Sequence, residues 1–178
     1  MLQNCNTWEI AKVFFDEPST EHNLKEICKK TGLSHTSVKG HLKKLEREEI
    51  IQVKRERKGE RVFPKYMAKD SEEFKFKKRL DLINRLKSSG LLDFIVSEFQ
   101  PNCVILFGSG IYGEDIEDSD VDLFVQASGK ELDLSNFENK LNRSIEIHTK
   151  SDFEDYPKEL KNNIINGIIL YGFLKVFE

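Results

Sequence analysis

The 178-residue chain contains no run of 18 apolar residues, so no transmembrane helix is expected. Its first residues show no basic segment followed by an apolar one. No secretory signal is therefore expected, and the reading is a cytoplasmic protein. Cysteine is scarce: Cys5, Cys28 and Cys103 are odd in number and far apart, which excludes a disulfide framework or a paired zinc-ligand set. They read as free thiols of a reducing compartment. No internal repeat or low-complexity stretch is visible, so repeat architectures are excluded. One local absence is sharper. Residues 107–125, FGSGIYGEDIEDSDVDLFV, hold six acids and no Lys or Arg.

An apolar content of 38% is enough to build cores, and the length allows one ordinary domain or two small ones. Charge is unevenly distributed behind a net value of −3. Residues 1–70 carry 15 basic and 11 acidic side chains, and the remainder 13 and 20. Residues 35–69 are the most basic section, with 11 basic against 5 acidic. A basic section joined to an acidic one points to two modules with different partners. The expected division is 1–70, a helical connector over 71–90, and 91–178.

Three short helices are predicted first. Asn6, with Glu9 placed for a capping box, opens a helix through Trp8, Ile10, Ala11, Phe14 and Phe15. Asn23 and Glu26 repeat that cap for a second helix carrying Leu24, Ile27 and Cys28, and Gly32 supplies its stop. Ser34 opens a third, with Val38, Leu42 and Leu45 on one stripe. At 100° per residue, Thr36, Lys39, Lys43 and Arg47 point away from that stripe, whereas His41 lies at the core boundary. Ile51, Val53 and Arg55 then alternate, Lys58-Gly59 makes a turn, and Val62 begins a return strand, giving a β-hairpin with basic flanks.

Three helices and a basic hairpin resemble a winged helix-turn-helix domain of the kind found in transcription regulators. The resemblance implies that the third helix enters the major groove of double-stranded DNA while the hairpin meets phosphate. Thr36, Lys39, Lys43, Arg47, Arg55, Arg57, Lys58 and Arg61 are then the candidate DNA contacts, with Lys54 beside them. A solvated charged face in a protein-docking module remains the alternative. In the connector, Phe76, Leu80, Leu82, Ile83 and Leu86 recur at helical spacing before Ser88-Ser89-Gly90. That face suits either a homodimer or packing within the chain.

After Pro101, Cys103–Phe107 reads as a buried strand. Gly108-Ser109 follows, then the acidic loop, and then a strand in which Val121, Leu123 and Val125 alternate with Asp120, Asp122 and Phe124. Side chains two apart share a face, so Asp120 and Asp122 project together, with Cα atoms roughly 6–7 Å apart. Two such carboxylates suit a hard divalent cation. Glycine allows close approach of a phosphate, and Ser109 offers a hydroxyl at what reads as a helix start, where free N–H groups favour anions.

Gly108-Ser109, nine residues, then Ser119-Asp120-Val121-Asp122-Leu123 is similar to the signature of the DNA polymerase β nucleotidyltransferase superfamily, above all its minimal members. The resemblance implies a small mixed sheet with flanking helices, so the whole chain is expected to be α+β. It also implies a nucleoside triphosphate such as ATP, Mg²⁺ or Mn²⁺, and transfer of a nucleoside monophosphate. Some members pair with HEPN-type toxins, which makes such a toxin a candidate partner.

The family requires a third carboxylate on a neighbouring strand, and Glu146 in Ser144–His148 fits. Asp120, Asp122 and Glu146 are thus the candidate catalytic and metal-holding residues. Gly108, Ser109 and Ser119 are the candidate nucleotide contacts. His148 shares the face of Glu146 and reads mainly as a solvated histidine. Asn166–Tyr171 resembles the family's C-terminal element. Minimal members often carry basic residues where this chain has Gly110 and Tyr112, leaving Arg143 and Lys150 as candidate phosphate partners. The leading expectation is a metal-dependent nucleotidyltransferase tethered to a DNA-binding winged helix. The alternative is a regulator or antitoxin whose second module only binds nucleotide or a partner protein.

Overall fold

A computed structural model describes residues 5–58, 61–150, 153 and 156–175; within these, the side chains of Arg57, Lys58, Arg61 and Val62 are not described. The chain divides into two compact units, Met1–Lys78 and Arg79–Glu178.

The first unit begins with α1 (Asn6–Asp16), α2 (Leu24–Thr31) and α3 (His35–Arg47). Asn6 is the first helical residue of α1 rather than its cap. That position belongs to Cys5, whose side chain makes no capping bond, and Glu9 instead accepts from Lys12. At α2 both bonds of the Asn23–Glu26 capping box form. Gly32 closes that helix at φ 69°, in the left-handed region open to glycine. The Ser34 hydroxyl accepts from the Ser37 N–H and starts α3. Val38, Leu42 and Leu45 then face inward against Ile10, Phe14, Phe15 and Ile27. His41 sits at the core boundary, its Nδ1 2.8 Å from the Thr7 hydroxyl.

The hairpin is β2 (Ile51–Lys58) and β3 (Arg61–Ala68), in register from Ile51↔Ala68 to Lys58↔Arg61. Gly59, expected in the turn, lies outside the described residues. A two-residue strand, β1 (His22–Asn23), adds to β3, so the sheet order is β1-β3-β2.

The two units divide inside α4 (Glu72–Ser88). Phe74 belongs to the first core, with its ring 5.5 Å from that of Phe15. Leu82 and Leu86 belong to a core of the second unit, whereas Phe76 and Leu80 are exposed. Gly90, at φ 83°, turns the chain into α5 (Leu91–Phe99).

The second unit is a four-stranded sheet in the order β6-β5-β4-β7. Its strands are β4 (Cys103–Phe107), β5 (Val121–Val125), β6 (Ile145–Thr149) and β7 (Ile168–Gly172). β4 pairs antiparallel with β5 and β7, and β5 pairs parallel with β6, so the sheet is mixed as expected. Strand alternation gives it two buried faces. Val104, Leu106, Val121, Leu123, Val125 and Ile145 pack with α5 and with Leu141 of α6 (Ser135–Leu141). Cys103, Ile105, Phe107 and Phe124 pack with Phe153, Tyr156 and Ile164. Ile164 comes from α7 (Lys158–Ile165), a helix with no counterpart in the sequence reading. Among the described residues no helix is long and apolar enough to cross a membrane.

Candidate functional site

Phe107 ends β4, and its register partner in β5 is Asp122. Asp122 in turn pairs with Glu146 across the parallel β5–β6 ladder. Neighbouring strands lie about 4.8 Å apart, so facing residues of the two strands can share one ligand. Two residues further along, Phe124 pairs with His148, which puts the imidazole on the same face as both carboxylates. One donor atom from each of Asp122, Glu146 and His148 lies within 4.8 Å of the others. His148 Nε2 is 3.3 Å from a Glu146 carboxylate oxygen, and its ring meets Phe107 edge-on at 5.2 Å.

Asp120 is placed differently from the expectation of a paired strand residue. Strand pairing starts at Val121, whose N–H donates to the Ser144 carbonyl. Asp120 lies just ahead, exposed and outside the group of converging donors. Its charge still reaches Asp122. Burial pushes the Asp122 carboxyl above its ordinary value, the Glu146 and Asp120 carboxylates push the same way, and His148 opposes them. Half-buried negative charge of this kind is costly unless a cation balances it. Two carboxylates and an imidazole at this spacing fit a divalent ion.

Gly108 is forced to be glycine. Its φ is 76°, and an added Cβ would come 2.0 Å from Asp122 Oδ2. The backbone thus passes directly beside the carboxylate. Ser109 starts only a single 3₁₀ turn, Ser109–Ile111, and not the helix expected. Its carbonyl accepts from the Tyr112 and Glu114 N–H groups, and its side chain is exposed. The Ser119 hydroxyl accepts from the Ile116 N–H at 2.9 Å and closes the acidic loop.

That loop explains one acid for which the sequence offered no role. Arg143 donates to Asp115, and the two side chains are only 9% and 2% exposed. Arg143, expected as a phosphate partner, is thereby committed to holding the loop against the start of β6. Lys150 is exposed. His148, expected mainly as solvated, is instead three-quarters covered, with 25% of its side chain exposed. Alternation placed it on the right face, but its proximity to Asp122 depends on pairing between distant strands.

In the first unit, Thr36, Lys39, Lys43 and Arg47 are all exposed on α3, as is Arg55 on β2. Between α3 and the hairpin runs a groove of about 530 Å³ lined by Thr36, Lys39, Lys43, Glu46, Arg55 and Tyr66. Lys54 is tied to Glu21 at 3.0 Å. Arg57, Lys58 and Arg61 fall in the hairpin, but their side chains lie outside the described residues.

Residues 89–173 match the model of the polymerase beta nucleotidyltransferase family. Residues 21–52 match a winged helix-turn-helix DNA-binding family. No curated protein matches the chain. Among solved structures, a possible transcriptional regulator from Methanosarcina mazei Go1 is 18% identical, covering 49% of this chain and 74% of its own, with a TM-score of 0.37. The chain therefore joins a winged helix-turn-helix domain to a nucleotidyltransferase domain of the polymerase beta family.

Proposed function

We propose that the second domain is a metal-dependent nucleotidyltransferase that moves a nucleoside monophosphate, AMP from ATP, to a protein or nucleic-acid hydroxyl. The winged helix binds double-stranded DNA and brings that activity to it. The observation that carries the reading is the convergence of Asp122 and Glu146 across β5–β6, beside a glycine that leaves no room for a side chain.

Asp120, Asp122 and Glu146 are the residues that would hold Mg²⁺ or Mn²⁺. The ion, when bound, neutralises phosphate charge and eases loss of the acceptor proton. Gly108 admits the triphosphate close to the backbone. The Ser109 hydroxyl, and the Ser119 hydroxyl with its own proton still to donate, bond to phosphate oxygens. The acceptor oxygen attacks the α-phosphorus as the bond to pyrophosphate breaks, and its proton passes to the Glu146 carboxylate. Most of the catalysis is positioning and charge stabilisation. Thr36, Lys39, Lys43 and Arg47 are assigned to the major groove, and Arg55, with the basic hairpin residues Arg57, Lys58 and Arg61, to phosphate contact.

The test incubates the full chain with α-labelled ATP, Mg²⁺ or Mn²⁺, and candidate acceptor proteins and nucleic acids. Wild type transfers label and Asp122→Asn does not. Equal labelling by both proteins overturns the assignment.

A second reading is favoured by one observation. Gly110 and Tyr112 supply no cation, and Arg143 is committed to Asp115. On this reading the domain binds nucleotide or a partner protein, such as a HEPN-type toxin, without turnover, and the chain is a regulator or antitoxin. It is supported if ATP binds without transfer and changes the affinity for DNA.

A further inference from the structure

We propose that His148 is a nitrogen ligand of the cation held by Asp122 and Glu146, which makes this a mixed oxygen–nitrogen site that prefers Mn²⁺ and Co²⁺ to Mg²⁺. The inference rests on the metal-dependent reading above and goes beyond its three carboxylates.

Four observations carry it. The donor atoms of Asp122, Glu146 and His148 converge to within 4.8 Å, and Asp120 is not among them. Ligands about 2.0–2.1 Å from a shared ion lie about 3.0–4.2 Å apart, a range that the Nε2–Glu146 pair at 3.3 Å already meets, so the remaining donors must draw in to reach it. Glu146, 58% exposed at its side chain, has the freedom to do so. The imidazole is held by tertiary packing, with its ring edge-on to Phe107 and Nε2 directed toward Glu146. A solvated surface histidine has neither restraint. Finally, Gly108 presses its backbone against Asp122 and limits where that carboxylate can turn.

The consequence for ion choice follows from ligand chemistry. Mg²⁺ takes oxygen donors and keeps much of its water, whereas imidazole suits later first-row ions. Substituting an imidazole for an oxygen ligand shifts affinity along the Mn²⁺ to Co²⁺ series and contributes little to Mg²⁺. Thus His148 sets selectivity, while the carboxylates set whether any ion binds.

The experiment uses the full chain without nucleotide and titrates Mn²⁺, Co²⁺ and Mg²⁺ by calorimetry into wild type, His148→Ala and Asp122→Asn. Pulsed electron paramagnetic resonance of bound Mn²⁺ then reports any coupled ¹⁴N nucleus. Wild type is expected to show histidine ¹⁴N coupling. His148→Ala is expected to lose it and to bind Mn²⁺ and Co²⁺ at least about tenfold more weakly, with Mg²⁺ changed less than threefold. Asp122→Asn loses all three ions. Absence of ¹⁴N coupling in wild type overturns the proposal whether or not the variants fold. So does unchanged Mn²⁺ and Co²⁺ affinity in His148→Ala while Asp122→Asn abolishes binding, a result that leaves the metal site standing. If Asp122→Asn retains all three ions at wild-type affinity, the underlying metal reading falls as well.

Discussion

Arg143 and Asp115 form an ion pair in which both side chains are almost completely covered, linking the acidic loop to the residue two positions before β6. A cation that basic scarcity would assign to phosphate is instead used to hold the protein's own loop. Breaking such a pair removes the opposite charge from a buried carboxylate, a loss of up to roughly 3–5 kcal/mol. Arg143→Met is therefore expected to lower unfolding stability by up to that amount, read as a reduced urea midpoint. Arg143→Met combined with Asp115→Leu should recover much of the loss, because neither charge then remains buried. Additive losses in the double variant would show that the pair is not the source of the effect.

Gly108→Ala tests the close approach at the candidate site. The added methyl group meets Asp122 Oδ2 at 2.0 Å and sits on a backbone with φ 76°. Strain of this kind costs on the order of 1–3 kcal/mol unless the carboxylate moves. The expected outcome is a loss of nucleotide transfer and of Mn²⁺ affinity, with DNA binding by the first unit retained. Thermal melting with and without Mn²⁺, together with a mobility-shift assay, separates these effects.

The winged helix should bind DNA through charge on α3 and β2. Lys39→Ala and Arg55→Ala each remove one exposed cation from the groove that Thr36 and Lys43 also line. Arg55→Ala should weaken binding to all sequences alike and reduce the slope of log affinity against log salt by about 1, whereas Lys39→Ala should weaken binding and also relax sequence preference. An unchanged slope in both variants would favour a protein-docking role for this face.

His22 makes the first unit sensitive to acid. Its side chain is 2% exposed, its ring is edge-on to Phe14, and it pairs with Tyr66 through β1–β3. Burial pushes its pKa below the ordinary 6.5, with Glu17 opposing only in part. The unfolded chain then takes up a proton that the folded chain resists. This contribution to stability is complete above pH 6.5 and is lost as pH falls through the lowered value. The melting temperature of the first unit should drop on acidification below pH 6.5, and His22→Gln should flatten that dependence. An identical pH profile for both proteins would remove His22 as the cause.

Much of the fold was legible because its signals are local. The Asn23–Glu26 box, the left-handed Gly32 and the Val38, Leu42 and Leu45 stripe act within a few residues. The same holds for β5, where alternation separated Asp122 from Val121 and Leu123. Asn6 does not cap α1 because a capping box depends on which residue leaves helical geometry, and here that residue is Cys5. The helix expected after Gly108 is one 3₁₀ turn, Ser109–Ile111, after which the chain continues into the loop held by Asp115.

The sequence by itself determined the two modules, the basic face of α3, and the presence of Asp120, Asp122 and Glu146 on or beside strands. Only the tertiary structure decided which donors meet. Residues 24 positions apart are brought together by the parallel β5–β6 register, which no local periodicity encodes. That register set His148 beside Asp122, left Asp120 ahead of the strand, and placed Arg143 where a buried carboxylate claims it.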